Sequence, residues 1–387
     1  MKKLVNYSSW IAHSLWQRYL VDGRKQWYVG MLPSLEWEYN HWESTHTREG
    51  GLYWQADVQD AMEETISGGR RKKYLRPSIN AYMYGNAMAI GNISAVGGLT
   101  AKAQTYFAKA DALREKVHQK LWNENHAFFE THRIDSSANV REAIGFMPWY
   151  THMAKDEAKY GVAWLQAANP EGFSAPYGQT TAERRHPLFR THGVGKCEWD
   201  GAVWPFATSQ TLTAMANFAN DYQSSHLAPL NSQLALDSLY FAEIKKYMQS
   251  QHMRGKPYIG EYLDETTGYW LKGDQERSRY YNHSTFNDLI ITGLCGLRPR
   301  QDNTLEVNPL LPKEFATPHS DQRSEKWDYF CLDNVLYHGR NLTIVWDKDG
   351  SRYHAGRGLR VYVDGKLAGH RDTLGRLVIE NALQPSR

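Results

Sequence analysis

Apolar residues recur at helical spacing through most of the chain, from Met1 to about Pro299. The clearest case is 100–121, where Thr100 is an N-cap residue type and apolar residues then follow at spacings of three and four. Residues 232–253 repeat the pattern. The pattern predicts helices over 3–20, 57–67, 78–96, 100–121, 139–153, 155–168, 202–220, 232–253 and 282–296.

Long segments rich in glycine, proline and aromatic residues separate these helices, at 23–56, 122–138, 169–201 and 254–281. Loops of this length in a compact domain usually carry function. Helix pairs with short links and long loops are typical of an (α/α)6 toroid, whose loops gather at one rim. The predicted helices number fewer than six pairs, so either short helices are missed or the toroid is incomplete at the N-terminus.

The character of the sequence changes after Pro312. Short β-prone runs occur at 329–332, 342–346 and 359–363, and Asp349-Gly350 and Asp364-Gly365 are hairpin-turn signals. We therefore predict a mainly α fold with two domains. Residues 1–312 form the toroid, and residues 313–387 form a small antiparallel β-sheet or sandwich with a structural role.

Charge and composition exclude several classes of protein. The 45 Lys and Arg residues nearly balance 42 Asp and Glu, and no basic stripe indicates a nucleic-acid surface. No apolar run approaches the roughly 18 residues of a membrane span. The first residues lack the apolar core of a signal peptide, so the cytoplasm is the default location. A periplasmic or secreted protein stays open if the native N-terminus lies elsewhere, and the oligomeric state is undetermined.

Cysteine usage indicates no cofactor or metal. Cys197, Cys295 and Cys331 are widely spaced and odd in number, and they form neither a disulfide framework nor a zinc-binding spacing. The sequence leaves open whether a structural calcium ion supports the site.

Aromatic content is the unusual feature of the composition, with 14 Trp and 24 Tyr against 12 Phe. Both Trp and Tyr combine a flat apolar face with a polar group. They would suit a carbohydrate-binding cleft, although a large helical core built from big rings is the alternative interpretation.

One carboxylate stands among such rings. Glu261 precedes Tyr262, and the acidic turn 264–268 separates it from Trp270. Rings at such a loop can stack on a pyranose, while the carboxylate can activate a water molecule. The loop therefore indicates sugar chemistry.

A second acidic cluster lies about two hundred residues upstream. On a helix, Asp57, Asp60, Glu63 and Glu64 would share one stripe, where like charges raise one another's pKa and favour a proton donor. The alternative is an acidic first turn favoured by the helix dipole. The preceding Trp54-Gln55 favours a functional site.

Five motifs in order resemble one family of enzymes. They are the acidic segment 57–64, Asn80-Ala81-Tyr82-Met83-Tyr84, Leu121-Trp122, the 199–204 loop with its two tryptophans, and Glu261-Tyr262 with Thr267-Gly268. Over about residues 50–312 the chain resembles the (α/α)6 inverting glycoside hydrolases of the trehalase and processing α-glucosidase group (family 63). The mannosylglycerate-hydrolase-like members are the most similar.

The resemblance implies a general base at Glu261 and a general acid in the 57–63 cluster. Relatives carry Asp where this chain has Glu63, so Glu63 and Asp60 are both candidates and Asp57 is a third. Ala202 also replaces the usual proline. By this resemblance the acid protonates the glycosidic oxygen while Glu261 deprotonates the attacking water, with inversion at the anomeric carbon.

The expected partner is a carbohydrate substrate. Rings predicted to stack on it are Trp199, Trp204, Tyr262 and Trp270. Other predicted substrate contacts are Trp54, Gln55, Asp57, Arg76, Asp200 and His283.

Three other functions are also compatible with the sequence. An (α/α)6 sugar epimerase or isomerase would use histidines, for which His186, His192 and His283 are available. A polysaccharide lyase would need a carboxylate clamp such as Arg184-Arg185-His186. A catalytically inactive carbohydrate-binding protein is the third.

Overall fold

A computed structural model of the chain describes residues 7–48, 50–191, 197–222, 230, 234–281, 285–312 and 327–383. Long helices dominate the part before residue 300. They are α1 (Ile11–Asp22), α2 (Lys25–His46), α3 (Pro77–Val96), α4 (Thr100–Lys120), α5 (Pro205–Asp221) and α6 (Leu236–Ser250).

Shorter elements fill the connections. The short α-helical segments are Met147–Tyr150, Ala158–Gly161, Leu165–Ala168 and Phe286–Asp288, and the last continues as a π-helix over Leu289–Leu294. The 3-10 turns are Asp57–Asp60, Ala143–Phe146, Val162–Trp164 and Glu276–Ser278. Two-residue ladders join Trp54–Gln55 to Tyr74–Leu75, Trp122–Asn123 to Phe128–Phe129, Ser174–Ala175 to Gly178–Gln179, and His252–Met253 to Lys256–Pro257.

Helix α3 is the centre of the helical part and is buried along nearly its whole length. It begins with Pro77 after the extended Arg76, because proline suits the first helical position and disfavours helix in the residue before it. It packs against α1, α2 and α4. Gly91 permits the close approach of α4, since a Cβ there would lie 2.5 Å from the Phe107 ring.

Several helix predictions are confirmed and others are wrong. The predicted helices at 78–96, 100–121, 202–220 and 232–253 correspond to α3, α4, α5 and α6. The expected loop at 23–56 is wrong, because most of it is α2. The expected helix at 57–67 is also wrong, because only the 3-10 turn at 57–60 forms. The predictions at 139–153 and 155–168 are confirmed in part, because consecutive 3-10 and short α-helical segments run over 143–150 and 158–168. No helix of the described ranges combines the length and hydropathy needed to cross a bilayer.

The C-terminal part is built from two antiparallel sheets, as the β-prone runs predicted. Strands β3 (Tyr329–Tyr337), β4 (Arg340–Asp347), β5 (Gly358–Val363) and β6 (Lys366–Arg371) form a meander. Strands β1 (Leu297–Arg298), β2 (Leu305–Val307) and β7 (Leu377–Ile379) form the second sheet in the order β7-β2-β1. Asp364 and Gly365 have φ values of 49° and 76°, as a tight hairpin turn between β5 and β6 requires.

The sheets are tied to the helices through the backbone. His338 donates its N–H to the Val21 carbonyl at 2.8 Å, and its ring nitrogen Nε2 lies 2.9 Å from the Leu20 carbonyl. Strand β2, which precedes residue 312, pairs with β7, which follows it. The domain boundary at 312 stays a prediction, and strand pairing crosses it.

Candidate active site

Glu261 lies on a loop that is held at both ends. Leu263 and Val203 exchange backbone hydrogen bonds of 3.0 Å, which fixes this loop against the 197–204 loop. Gly260 lets the Trp270 ring pack directly against this loop, because a Cβ there would lie 2.5 Å from that ring. The sequence therefore places Glu261 on a firmly packed loop.

Both oxygens of the Glu261 carboxylate have a neighbour. Ser278 Oγ donates to Oε2 at 2.8 Å, and Lys272 Nζ lies 3.6 Å from Oε1. Glu261 is 9% exposed and Lys272 is 3% exposed. The carboxylate is thus oriented by a hydroxyl and has a buried ammonium beside it.

Glu63 belongs to the other acidic segment, and a residue with left-handed backbone geometry lies on each side of it. After the 3-10 turn, Ala61 has a φ of 56° and Glu64 a φ of 71°, both in the left-handed region. Met62 is buried between them, whereas Glu63 is half-exposed. Within the described part of the chain, no hydrogen bond or ion pair engages the Glu63 side chain.

Glu63 and Glu261 both raise the pKa values of Tyr281 and Cys197. Burial is the main cause of the raised pKa of the Tyr281 phenol, and Glu261 and Glu63 raise it further. Burial also raises the pKa of the Cys197 thiol; Lys272 opposes this, and Glu63 and Glu261 add to it. The packing agrees with this, because Met62, directly before Glu63, and Tyr262, directly after Glu261, belong to one hydrophobic cluster. A pair of this kind can transfer protons to and from a substrate.

Asp60, the other candidate acid, is part of a buried ion pair. Its Oδ2 accepts hydrogen bonds from Arg76 Nε at 2.9 Å and from Ser78 Oγ at 2.6 Å. The Arg76 and Asp60 side chains are 1% and 0% exposed. The geometry therefore favours Glu63 over Asp60 as the acid.

The other residues of the acidic segment join the same buried cluster. Asp57 Oδ2 accepts from the backbone N–H groups of Glu64 at 3.2 Å and Gly69 at 3.0 Å. Burial, opposed by Arg76, raises the pKa of Asp57, so the expected repulsion along a helical stripe is not its cause. Gln55 is fully buried and donates to Ser78 Oγ at 3.2 Å.

Trp54 lies at the edge of this cluster. Its ring centroid is 4.5 Å from that of His46, and Lys73 Nζ lies 4.1 Å from it. The substrate contacts predicted for Trp54, Gln55, Asp57 and Arg76 stay predictions, and in this structure Gln55, Asp57 and Arg76 are buried among protein groups.

Three of the predicted sugar-stacking rings stack on one another. The Trp199 and Trp204 centroids are 4.0 Å apart with planes at 17°, and the Trp204 and Tyr262 centroids are 4.6 Å apart. None of the three is more than 3% exposed, and Met62 packs against them. The three rings cover one another, so a sugar would reach their faces only if the stack opened.

The remaining predicted contacts are placed differently. Trp270 is 1% exposed, and its indole N–H donates to the Ser250 carbonyl at 3.1 Å. Asp200 is fully buried, and its carbonyl accepts from the Arg190 N–H at 3.0 Å. His283 lies outside the described residues.

Arg190 joins the two loops that carry the site. Its Nε forms an ion pair with Glu198 Oε2 at 2.8 Å. Its Nη1 lies 3.0 Å from Asp264 Oδ2 and also contacts Glu265. Burial raises the pKa of Glu198, and Arg190 opposes that rise. This guanidinium therefore helps to hold Glu261 in place.

The sequence interpretation missed this arginine and the partners of Glu261. Lys272 carries one available signal, a lysine directly after the apolar Tyr269-Trp270-Leu271. Ser278 and Arg190 carry none, because nothing local distinguishes them from other loop residues.

Residues proposed for the rival mechanisms are engaged elsewhere. His186 Nδ1 accepts from the Leu188 N–H at 3.1 Å, and burial lowers the pKa of His186. Arg184 donates to the Pro170 carbonyl and Arg185 to the Glu171 carbonyl, each at 2.9 Å. His192 lies outside the described residues. Across the described ranges, no three His, Cys, Asp or Glu side chains are arranged to ligate a metal ion.

Comparison with known proteins identifies two family models along the chain. The model for the mannosylglycerate hydrolase MGH1-like glycoside hydrolase domain matches residues 1–284. The model for the C-terminal domain of glycosyl hydrolase family 65 matches residues 324–369, within the β part.

Solved structures show the same fold. A structure titled "Sialidase" is 60% identical with a TM-score of 0.91, over 99% of this chain and 34% of that one. The GH63 mannosylglycerate hydrolase from Thermus thermophilus is 14% identical with a TM-score of 0.52, over 74% of each chain. A GH78 family rhamnosidase from Bacillus sp. GL1 is 12% identical with a TM-score of 0.57, over 91% of this chain and 31% of that one.

The chain thus spans about a third of the length of the sialidase-titled structure. Its fold is mainly helical, an (α/α)6 toroid with a small antiparallel β part, as the sequence predicted. Because the first family model covers well over half of the residues, the chain belongs to the family of mannosylglycerate hydrolase MGH1-like glycoside hydrolase domains.

Proposed function

We propose that this chain is the catalytic part of an inverting glycosidase in which Glu63 is the general acid and Glu261 the general base. The observation that carries the proposal is that two carboxylates come from loops that pack together, since Met62, before Glu63, and Tyr262, after Glu261, belong to one hydrophobic cluster. Both carboxylates also add to the raised pKa values of Tyr281 and Cys197, and Lys272 accompanies Glu261.

The proposed reaction is one displacement at the anomeric carbon. Glu63 gives its proton to the glycosidic oxygen as the carbon–oxygen bond breaks. A water molecule attacks from the opposite face and loses its proton to Glu261, so the product has the inverted anomeric configuration. This mechanism requires the carboxyl groups to stand about 6.5–9.5 Å apart, which leaves room for the water.

Lys272 and Ser278 would orient the base. Ser278 holds one oxygen of Glu261 through a hydrogen bond, and the ammonium of Lys272 lies near the other. A half-exposed Glu63 can receive its next proton from solvent after each turnover. The mechanism uses no cofactor or metal, and a carbohydrate is the partner that it requires.

The proposal is tested with Glu63→Gln and Glu261→Gln on a panel of glycosides and oligosaccharides. We expect kcat to fall by about 10³-fold or more in either variant, while the thermal unfolding midpoint stays near that of the wild type. NMR of the first product would show the inverted anomer. Undiminished hydrolysis by a folded Glu261→Gln variant, or a trapped glycosyl-enzyme, would refute the mechanism.

Asp60→Asn is the matched control for the acid. Removing one partner of a buried ion pair costs about 3–5 kcal/mol of folding free energy. We therefore expect lowered stability by urea denaturation, with substantial kcat in the folded fraction. A stable but inactive Asp60→Asn variant would instead assign the acid to Asp60.

Sialoside hydrolysis is a second candidate, because the 60% identical structure is titled "Sialidase". Sialidases use a tyrosine nucleophile, and Tyr281 is close to both carboxylates. Against it, the raised pKa of Tyr281 keeps the ring a neutral phenol. Cleavage of an aryl sialoside that is lost in Tyr281→Phe would favour this candidate over the first.

A further inference from the structure

An open cavity of about 640 Å³ lies beside the segment that carries Glu261. Ile259, two residues before Glu261, lines it, and the Ile259 carbonyl accepts a hydrogen bond of 3.1 Å from the backbone N–H of Tyr281, which also lines it. Glu261 and Glu63 both add to the raised pKa of the Tyr281 phenol. The cavity therefore adjoins the proposed catalytic site.

Aromatic rings on one side of this cavity are open to solvent. Tyr280 is 71% exposed and Tyr281 is 39% exposed, while Tyr258 packs 6.2 Å from the Tyr280 ring. Phe286 also lines the cavity. These rings differ from the Trp199–Trp204–Tyr262 stack, whose faces are covered by one another.

Polar groups line the same cavity. The buried Nε2 of Gln251 lacks a hydrogen-bond partner in the described part of the structure. Asp288 is exposed, and among the described residues no hydrogen bond or ion pair engages its carboxylate. A buried amide donor without a partner is costly, so a ligand that supplied an acceptor would bind with a gain.

We infer that this cavity is a sugar-binding subsite next to the bond that is cleaved, and that the substrate is an oligosaccharide. The inference rests on the proposed glycosidase function. The rings of the cavity can cover the C–H faces of a pyranose, and Gln251 and Asp288 can bind hydroxyl groups. The volume of the cavity lies within the range of about 300–1,000 Å³ that is typical of small-molecule binding sites.

Two substrates with the same cleaved sugar test the inference. One is the glycosyl fluoride, whose leaving group is a single atom, and the other is the trisaccharide of the configuration that the wild type cleaves fastest. In Tyr280→Ala and Asp288→Asn, we expect the ratio of kcat/KM for the trisaccharide to that for the fluoride to fall about tenfold.

Tyr329→Ala is the matched control, since Tyr329 is 47% exposed on β3 and does not line the cavity. Its ratio should equal that of the wild type. If Tyr280→Ala and Asp288→Asn leave the ratio unchanged, the cavity does not bind the substrate.

A calorimetric arm separates this inference from the proposed function. If the wild type cleaves nothing in the panel, mannotriose and maltotriose are titrated into the wild type and into Tyr280→Ala. Weaker binding to the variant supports the subsite even though the glycosidase proposal has failed. Equal binding, or none to either protein, overturns the subsite.

Discussion

Asp60 and Glu63 carry the same functional group three residues apart, yet their surroundings separate their roles. Arg76 and Ser78 engage the carboxylate of Asp60 inside the protein, whereas Glu63 is half-exposed. The sequence could not choose between them, because the partner that decides the matter is 16 residues away at the start of α3. It could single out Glu261 as the candidate base, because its aromatic and turn neighbours are adjacent in the chain, and that role stays a prediction.

Lys272 offers a test at the scale of one residue. We expect Lys272→Met to lower kcat/KM about tenfold, because it removes the buried ammonium that lies 3.6 Å from one oxygen of Glu261. The rate is measured on the fastest substrate of the panel, together with the thermal unfolding midpoint of each variant.

Lys272→Arg is the control, since it keeps a positive charge near Glu261. Equal losses of kcat/KM in Lys272→Met and Lys272→Arg would mean that Lys272 acts only in packing.

Helix α2 shows what the sequence pattern contained and the interpretation missed. Its buried residues are Tyr28, Leu32, Leu35, Tyr39, Trp42 and His46, at alternating spacings of four and three. This is a regular helical stripe, but four of its six residues are rings that carry a polar group and also suit loops. Pro33 lies inside the helix and adds a breaker signal that packing against α3 overrides.

The acidic segment shows the opposite error. Its spacing suits a helix, but the Asp57 carboxylate bonds to backbone N–H groups at 64 and 69 and holds a compact loop instead. Short acidic side chains compete with helical hydrogen bonds in this way. Four carboxylates that would have shared a stripe therefore end in different surroundings.

His118, near the end of α4, makes stability depend on pH. Its Nδ1 lies 2.7 Å from the Arg114 carbonyl, its Nε2 accepts from the Lys155 N–H at 3.1 Å, and burial lowers its pKa to about 4. The unfolded chain binds the proton more tightly, so stability is full above pH of about 6.5 and is lost as pH falls towards 4. The loss should reach at most about 3 kcal/mol.

Urea denaturation at pH 7 and pH 4.5 measures this loss. His118→Gln should be less stable at pH 7 but should lose less on acidification than the wild type does. His370→Gln, which changes an exposed residue on β6, is the control and should follow the wild type. Equal acid losses in His118→Gln and the wild type would exclude this role.

At the scale of the whole molecule, the fold class could be predicted and the division of the chain could not be settled. Helical and strand periodicities are local signals, so the mainly helical part and the strands β3, β4 and β5 could be predicted. The pairing of β2 with β7 joins residues about seventy positions apart, and no local pattern reports it. Arg376 reinforces this junction by contacting Glu306 and the Asn220 carbonyl.

Truncation after Pro312 tests whether the helical part is independent. Removing β7 leaves β2 without one of its two partner strands and exposes the buried side chains of Leu305 and Val307 to solvent. We expect the 1–312 fragment to unfold at least about 5 °C below the full chain by calorimetry, or to aggregate. An unchanged midpoint would show that the boundary at 312 separates two independent units.

The stack of Trp199, Trp204 and Tyr262 has an optical consequence. Two indoles held 4.0 Å apart and nearly parallel have strongly interacting transition dipoles, and such pairs produce exciton couplets in circular dichroism. Trp199 and Trp204 come from one loop, and Tyr262 follows the proposed base directly. The chromophores therefore report on the geometry around Glu261, and a ligand that separated the rings would change the spectrum without any added label.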